Sequence, residues 1–202
     1  TLFRSLVAGE KSGIENLLIV VNKTDLLEET TAAAELFAPY TRMGYEILLT
    51  SAQRGEGIEA LRERLRGRIS VLTGPSGVGK TSLLNQVQPG LGRAVKAVSQ
   101  YHQEGVHTTR DSALIKLEMG GYLADTPGIR QIQVWDVEPD ELDAYFIDIA
   151  EVVNGCRFNN CTHVNEPGCA LRAAVDAGQI SLTRYENFIE LREELRETYI
   201  AY

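Results

Sequence analysis

The sequence predicts an α/β fold, a mostly parallel sheet with helices on both faces, followed by a small helical domain that carries cysteines. Three observations carry this expectation. Short continuous apolar runs alternate with amphipathic segments, as they do when strands are buried on both faces of a parallel sheet. A glycine-rich turn lies between one such run and a helix. All three cysteines fall between 156 and 169, an odd number that favours metal binding or free thiols over a disulfide framework.

Leu2, Phe3, Leu6 and Val7 recur with helical spacing, so residues 1–12 read as the end of a helix. "LLIVV", 17–21, is a buried strand, and residues 28–38 are helical in character. "YEILLTS", 45–51, is a second strand, and "GIEALRERLRG", 57–67, an amphipathic helix. "RISVLTG", 68–74, is a third strand, and "KTSLLNQV", 80–87, opens a helix. Residues 88–111 hold glycines and two histidines without apolar period, and read as a mobile loop. "ALIKLEM", "GG" and "YLADT" have the form of a hairpin. "PDELDAYFIDIAEVV", 139–153, reads as one helix begun by Pro139. Residues 181–200 form the last helix, with Tyr185, Phe188, Ile189 and Leu195 on one face and a capping box at Thr183 and Glu186. The expected domains are 1–150 and 151–202.

The chain has 202 residues, 44% hydrophobic and 24% charged, an ordinary balance for a globular protein. Its net charge of −8 argues against a general nucleic-acid-binding surface. A local basic patch would have to draw on clusters such as "LRERLRGR". No apolar run reaches the roughly 18 residues of a membrane span. The start, "TLFRSLVAGEK", shows no signal peptide, and Thr1 in place of Met suggests a fragment.

"GPSGVGKTS", 74–82, matches Gly-x4-Gly-Lys-Thr between a predicted strand and helix. Gly74, Gly77 and Gly79 let the backbone, with Pro75, Ser76 and Val78, wrap closely around phosphate oxygens. Lys80 can reach the β- and γ-phosphates; Thr81 can place its hydroxyl on magnesium, and Ser82 continues the helix start. Asp125 and Gly128, in "DTPG", can hold a magnesium-bound water and meet the γ-phosphate. Thr108 and Thr109, in "HTTR", can complete the magnesium shell, with Thr109 as the ligand.

"NKTD" supplies Asn22, Lys23 and Asp25. The Asp25 carboxylate can accept from guanine N1–H and N2–H₂, a donor pair that adenine lacks. Asn22 can tie this loop to the phosphate turn. In "TSAQ", Ser51 precedes Ala52, whose N–H can donate to guanine O6. Base reading thus comes first in the chain, then phosphate binding, then the switches. Loops at the C-terminal edge of a sheet can converge on one ligand in any order, so the order implies a circularly permuted P-loop NTPase fold. A small-molecule kinase would use the same phosphate turn, but "NKTD" and "DTPG" speak against it. A zinc-bearing RNA adaptor with a dead nucleotide site would require loss of Lys80, Thr81 or Asp125, and all three are present.

Cys156, Cys161, His163 and Cys169 form a Cys-x4-Cys-x-His-x5-Cys pattern, a closed set suited to one structural zinc. The metal is expected to hold a loop with almost no apolar core of its own.

"NKTDLL", "TSAQRGEGIEAL", "GPSGVGKTSLLN", "GVHTTRDS", "LADTPGIR" and the cysteine cluster, in this order, resemble the circularly permuted GTPases of the RsgA (YjeQ/YloQ) type. The resemblance covers essentially the whole chain. It implies hydrolysis of GTP to GDP and phosphate with magnesium, ribosome-stimulated turnover, binding to 16S ribosomal RNA and a role in late maturation of the small (30S) subunit. It also implies a cytoplasmic monomer without a membrane partner. Members of the family carry an N-terminal OB-fold domain and a first sheet strand; this chain is expected to lack both. Ile129 stands where many GTPases place a water-orienting Gln. His107, beside the switch threonines, is the best candidate to take that role, and in the family the corresponding histidine is proposed as catalytic. His102 is a weaker candidate, and Arg110 and Arg130 could contact phosphate or RNA.

Overall fold

The computed structural model describes residues 2–28, 30–95, 113–125 and 137–200. In chain order its elements are α1 (Leu2–Lys11), β1 (Leu18–Val21), a 3₁₀ turn (Thr24–Leu26), α2 (Thr30–Arg42), β2 (Glu46–Leu49), α3 (Ile58–Leu65), β3 (Ile69–Ser70), α4 (Lys80–Val87), β4 (Ala113–Lys116), β5 (Tyr122–Asp125), a second 3₁₀ turn (Leu142–Tyr145), α5 (Ile147–Val153), α6 (Ala170–Asp176) and α7 (Leu182–Ile200). They divide into two compact units. One is Asn16–Ile132; the other joins Leu2–Glu15 to Gln133–Tyr202. The boundary expected at 150/151 falls inside α5. The difference arises because α1 and α5 share one apolar core with the cysteine segment, so both belong to the second unit.

In the first unit β1 pairs with β2 in parallel, from Leu18 opposite Glu46 to Val21 opposite Leu49. β3 pairs with β5 in parallel, and β4 with β5 antiparallel, from Ala113 opposite Asp125 to Lys116 opposite Tyr122. The hairpin turns on Gly120 and Gly121, with φ 87° and 92°. Gly121 also lacks room for a side chain: a Cβ would lie 2.5 Å from Arg68 O. The strand expected over 68–74 is paired only at Ile69–Ser70, because from Val71 the chain leaves the ladder for the glycine-rich turn. Ile58, Leu61 and Leu65 recur on one face of α3 and pack with Leu83, Leu84 and Val87 of α4 and with Leu117 and Leu123 beneath them. Part of the expected 88–111 loop is ordered. Residues 91–95 form a helical turn anchored by Leu91, which is 2% exposed. Residues 96–112 lie outside the described residues.

The arginines of "LRERLRGR" do not form a free basic patch. Arg62 pairs with Glu59 at 2.9 Å, Arg64 with Glu46 at 2.5 Å and Arg66 with Glu63 at 2.8 Å, while Arg68 donates to Arg64 O.

In the second unit the expected 139–153 helix is broken. The backbone at Phe146 opens to φ −113° and ψ 87° between the 3₁₀ turn and α5. The break drives the Phe146 ring into the core, edge-on to Phe188 at 5.2 Å and stacked on Phe3 at 6.3 Å. Burying that ring outweighs one more helical turn. The cap of α7 is Ser181, whose hydroxyl accepts from Arg184 N–H at 3.2 Å; the capping box expected at Thr183 starts two residues too late.

Arg184 is buried between Phe3 and Phe146, 4.7 and 4.3 Å from the ring centres, and its guanidinium grips Asp148. Asp148→Ala removes the carboxylate partner of that buried charge and is expected to cost about 3 kcal/mol. Urea unfolding followed through the second unit should show it; a change within 0.5 kcal/mol would contradict the assignment.

Candidate functional site

Because β1 and β2 are parallel, their C-terminal ends lie side by side and feed loops on one sheet edge. Thr50 and Ser51 are fully buried there. Thr50 N–H donates to Val21 O at 2.8 Å, and the Thr50 hydroxyl reaches Asn22 Oδ1 at 3.3 Å. From the other loop, Thr24 donates to Thr50 O through its N–H at 3.2 Å and its hydroxyl at 3.0 Å. These bonds fix residues 22–25 against 50–52. Lys23 takes a left-handed conformation, φ 68°, which turns the chain into the 3₁₀ segment holding Asp25. The Ser51 hydroxyl donates to Asp25 Oδ1 at 2.5 Å and accepts from Arg54 N–H at 3.1 Å.

The glycine-rich turn follows β3. Gly74, Gly77 and Gly79 have φ of 141°, 80° and 96°, a region open to glycine at little cost. At Gly79 space is limiting too, since a Cβ would lie 2.3 Å from Asn22 Nδ2. That closeness accompanies the central bond of the site: Asn22 Nδ2 donates to Val78 O at 2.9 Å. Asn22 Oδ1 accepts from Ala52 N–H at 3.1 Å. One side chain therefore joins the 22–25 loop, the 50–52 loop and the glycine-rich turn. The Ala52 N–H, expected to face a guanine O6, is directed at Asn22 instead, because the amide oxygen lies within hydrogen-bond reach. Gln86 Nε2 of α4 donates to Ala52 O at 2.9 Å and braces the same loop.

Lys80 opens α4 and lays its ammonium across the turn, donating to Gly74 O at 2.5 Å and Pro75 O at 2.8 Å. Pro75 and Ser76 are exposed at the tip, and Thr81 and Ser82 are exposed on the first helical turn. First-turn N–H groups of a helix have no intrahelical partner and point outward. Asn22, Lys23, Asp25, Leu26, Ala52, Gln53, Gly79 and Ser82 line one cleft of about 350 Å³. A carboxylate on one wall and a glycine-rich helix start on the other can hold a polar ring at one end and an anion at the other. Leu26, 73% exposed, and Gln53 are wall residues that the motifs did not reveal. Neither belongs to a pattern, and only the loop geometry brings them in. Asp125 ends β5, beside β3. Its side chain, and His102, His107, Thr108, Thr109, Arg110, Gly128, Ile129 and Arg130, lie outside what the structure describes.

The second unit gathers Cys156, Cys161, His163 and Cys169, whose ligand atoms all lie within 4.8 Å of one another. Cys169 Sγ and Cys156 Sγ are 3.4 and 3.6 Å from His163 Nδ1. A tetrahedral site with three sulfurs and one nitrogen spaces its donors roughly 3.6–3.8 Å apart, so the four groups fit a metal ion. Ala170 N–H and Arg172 N–H donate to Cys156 Sγ and Cys169 Sγ, at 3.3 and 3.5 Å, as suits thiolates. Burial pushes the Cys161 thiol up to about 12 and pushes His163 below its ordinary value. Burial thus disfavours thiolate and imidazolium alike, and a bound cation would reverse the thiol preference. The loop is not apart from the apolar core, as the sequence suggested. Cys161 and Cys169 pack within it beside Leu171 and Phe188, and Tyr185 and Arg192 donate to His163 O and Cys161 O.

Glu166 went unnoticed in the sequence, since a single acidic residue in a polar loop follows no pattern. Its carboxylate accepts from the Thr162 hydroxyl at 2.5 Å and from the N–H groups of Thr162, Val164 and Asn165 at 2.9, 3.1 and 3.1 Å. The Thr162 hydroxyl foremost, then its N–H, hold this carboxyl down at about 2 against an ordinary 4.5. Its contribution is complete above the ordinary value and is lost as pH falls through about 2.

Residues 1–135 match the RsgA GTPase family model. The small ribosomal subunit biogenesis GTPase RsgA of Gemmatimonas aurantiaca is 45% identical over 96% of this chain and 62% of its own length. That of Thermotoga maritima is 44% identical over 94% of this chain and 64% of its own. The crystal structure of YjeQ from Thermotoga maritima superposes with a TM-score of 0.76, at 40% identity over 96% of this chain and 64% of that one. YloQ, described as a circularly permuted GTPase, gives 0.71 at 30% identity, over 98% and 62%. The chain spans less than two-thirds of the length of these relatives.

Glu166→Ala removes the acceptor that folds 162–165 under the ligands. It is expected to lower metal affinity about ten-fold at neutral pH, read by competition with a chelating dye. Unchanged affinity would contradict that role.

Proposed function

The chain belongs to the RsgA GTPase family, and we propose that it binds GTP and hydrolyses it to GDP and phosphate in the service of small-subunit ribosome maturation. Its fold is that of the circularly permuted GTPases. The observation that carries the proposal is one cleft walled by Asn22, Asp25 and Ala52 on one side and by Gly79 and Ser82 on the other, with Asn22 tethered to Val78. Guanine sits against Asp25, whose carboxylate accepts from N1–H and N2–H₂. The phosphates lie in the turn from Gly74 to Gly79, with Lys80 moving from the carbonyls of Gly74 and Pro75 to the β- and γ-oxygens. Thr81 and Thr109 would hold magnesium, with Asp125 placed toward a water of its shell and Gly128 toward the γ-phosphate. Magnesium supplies charge neutralisation at the transferring phosphate.

A small ribosomal subunit is the partner, by analogy with the names of the relatives, and contact with its 16S RNA belongs to the proposal. The pairing of Arg62, Arg64 and Arg66 with acidic neighbours removes "LRERLRGR" as a ready RNA contact. The chain acts as a cytoplasmic monomer; among the described residues no helix is long and apolar enough to cross a membrane. Cys156, Cys161, His163 and Cys169 would hold one zinc ion with a structural role, since four protein ligands would leave it no open position.

Nucleotide competition and turnover test the proposal together. GDP and GTP should displace a fluorescent guanosine nucleotide at least about 100-fold more effectively than ADP or ATP. Small ribosomal subunits should raise GTP turnover, and His107→Ala should abolish that rise while leaving GTP affinity nearly unchanged. Equal binding of adenosine nucleotides would contradict the base-reading site, and undiminished stimulation in the variant would remove His107 from the trigger.

A further inference from the structure

Gly92 stands apart from most described glycines. Gly74, Gly77 and Gly79 sit at positive φ, whereas Gly92 does not, so backbone conformation does not require glycine there. Space does. A Cβ on residue 92 would lie 2.6 Å from Thr81 Cγ2, 2.9 Å from Thr81 O and 2.9 Å from Asn85 Oδ1. Real Cβ atoms do not approach so closely, and one of these neighbours would have to move.

Three features hold the chain in this close crossing. Leu91 is buried in the core with Leu84 and Val87, which pins the segment from below. Gly92 N–H donates to Asn85 Oδ1 at 2.9 Å. Asn85 lies one turn after Thr81 on α4, so both residues face the returning strand of chain. The γ-methyl of Thr81, on an otherwise exposed residue, thereby lies against residue 92. A threonine whose methyl is fixed cannot exchange methyl and hydroxyl by rotation about χ1, so its hydroxyl keeps one position.

We propose that Gly92 is a positioning residue for the magnesium-binding hydroxyl of Thr81, acting by close packing against the Thr81 methyl. The proposal rests on the reading of Thr81 as a magnesium ligand. It adds a residue from outside the phosphate-turn motif, eleven positions after Thr81, that sets the rotamer of the ligand. Gly92 itself touches neither nucleotide nor metal. A Cβ at 92 would lie 2.6 Å from the methyl and 2.9 Å from Thr81 O, so it displaces the methyl, and the Thr81 backbone with it, and moves the hydroxyl from the metal position. Nucleotide binding through the turn and the base loop does not depend on that rotamer.

The test measures affinity for a fluorescent guanosine diphosphate across a magnesium titration and in EDTA, with the whole chain. Gly92→Ala should raise the magnesium concentration giving half of the affinity gain about ten-fold, the usual cost of losing a supporting partner of a metal ligand. Its affinity in EDTA should stay within about two-fold of wild type. Adding Thr81→Ser should lower the requirement of Gly92→Ala toward that of Thr81→Ser alone, because it removes the nearest of the three atoms in the way. Thr81→Ser alone, with a freely rotating hydroxyl, should raise the requirement about three-fold; it carries the test should Gly92→Ala not fold. An unchanged magnesium requirement in either single variant, or an equal loss of affinity with and without magnesium, would overturn the proposal. A wild-type protein whose nucleotide affinity ignored magnesium, and in which Thr81→Ala changed nothing, would instead overturn the underlying assignment of Thr81.

Discussion

The candidate nucleotide site depends on one side-chain amide. Asn22 donates to the carbonyl of Val78 and accepts from the amide of Ala52, and so holds three loops at once. Those loops come from segments up to 56 positions apart in the chain. No strand ladder joins β1–β2 to β3–β5–β4 among the described residues. The hydrogen bonds of Asn22 and Gln86, and shared apolar packing, therefore bring the Asp25 end of the cleft to its glycine-rich end. Gly79 is part of the same constraint. It supplies the left-handed turn into α4 and leaves Asn22 the room to reach across.

This arrangement explains why chain order is free to change. Parallel strands deliver their loops to one edge, and each loop contributes to a ligand there regardless of which comes first. The covalent order of the three loops is immaterial so long as the strands keep their neighbours. What order does change is which residues must find each other at long range. The Asn22–Val78 contact spans 56 positions, so forming it carries a loop-closure cost that a local contact does not. The cysteine segment shows a similar principle inside the second unit. Its ligands are close in sequence, yet two of the thiols are buried in a core built largely by α6, α7 and the residues around the second 3₁₀ turn, joined by Val7 of α1 and Ile149 of α5. A metal bound by these four groups would stabilise the same fold that apolar burial does, so the Cys-His loop is one wall of a core and not an appended clip.

Much of this was legible because certain chemistries demand certain residues. Positive φ at Gly74, Gly77 and Gly79 is what a phosphate-wrapping turn requires, and the spacing shows it. The reach of Asn22 to the phosphate turn follows from the pattern around it. The Gly-Gly hairpin was equally readable. Other features lay beyond local pattern. Phe146 breaks a sequence with good helical character because Phe3 and Phe188, far away in the chain, offer its ring a buried place. Ser181 caps α7 in place of Thr183 because the helix starts earlier than its capping-box spacing implies. The basic run 62–68 looked like a patch until Glu46, Glu59 and Glu63 were seen beside it. Leu26, Gln53, Glu166 and Gly92 carry no signature at all; their roles arise from what other segments place next to them.

The central claim is that the loop around Asp25 and the turn from Gly74 to Ser82 serve one and the same guanosine nucleotide. Asp25→Asn addresses it most directly. The substituted amide offers an N–H where the carboxylate offered an oxygen, which suits a base with oxygen in place of the amino group at C2. The account predicts that the variant's preference moves from GDP to XDP by at least about ten-fold, while a β-phosphate remains necessary for tight binding. Loss of GDP and XDP binding in equal measure, or GDP binding indifferent to the change, would contradict it.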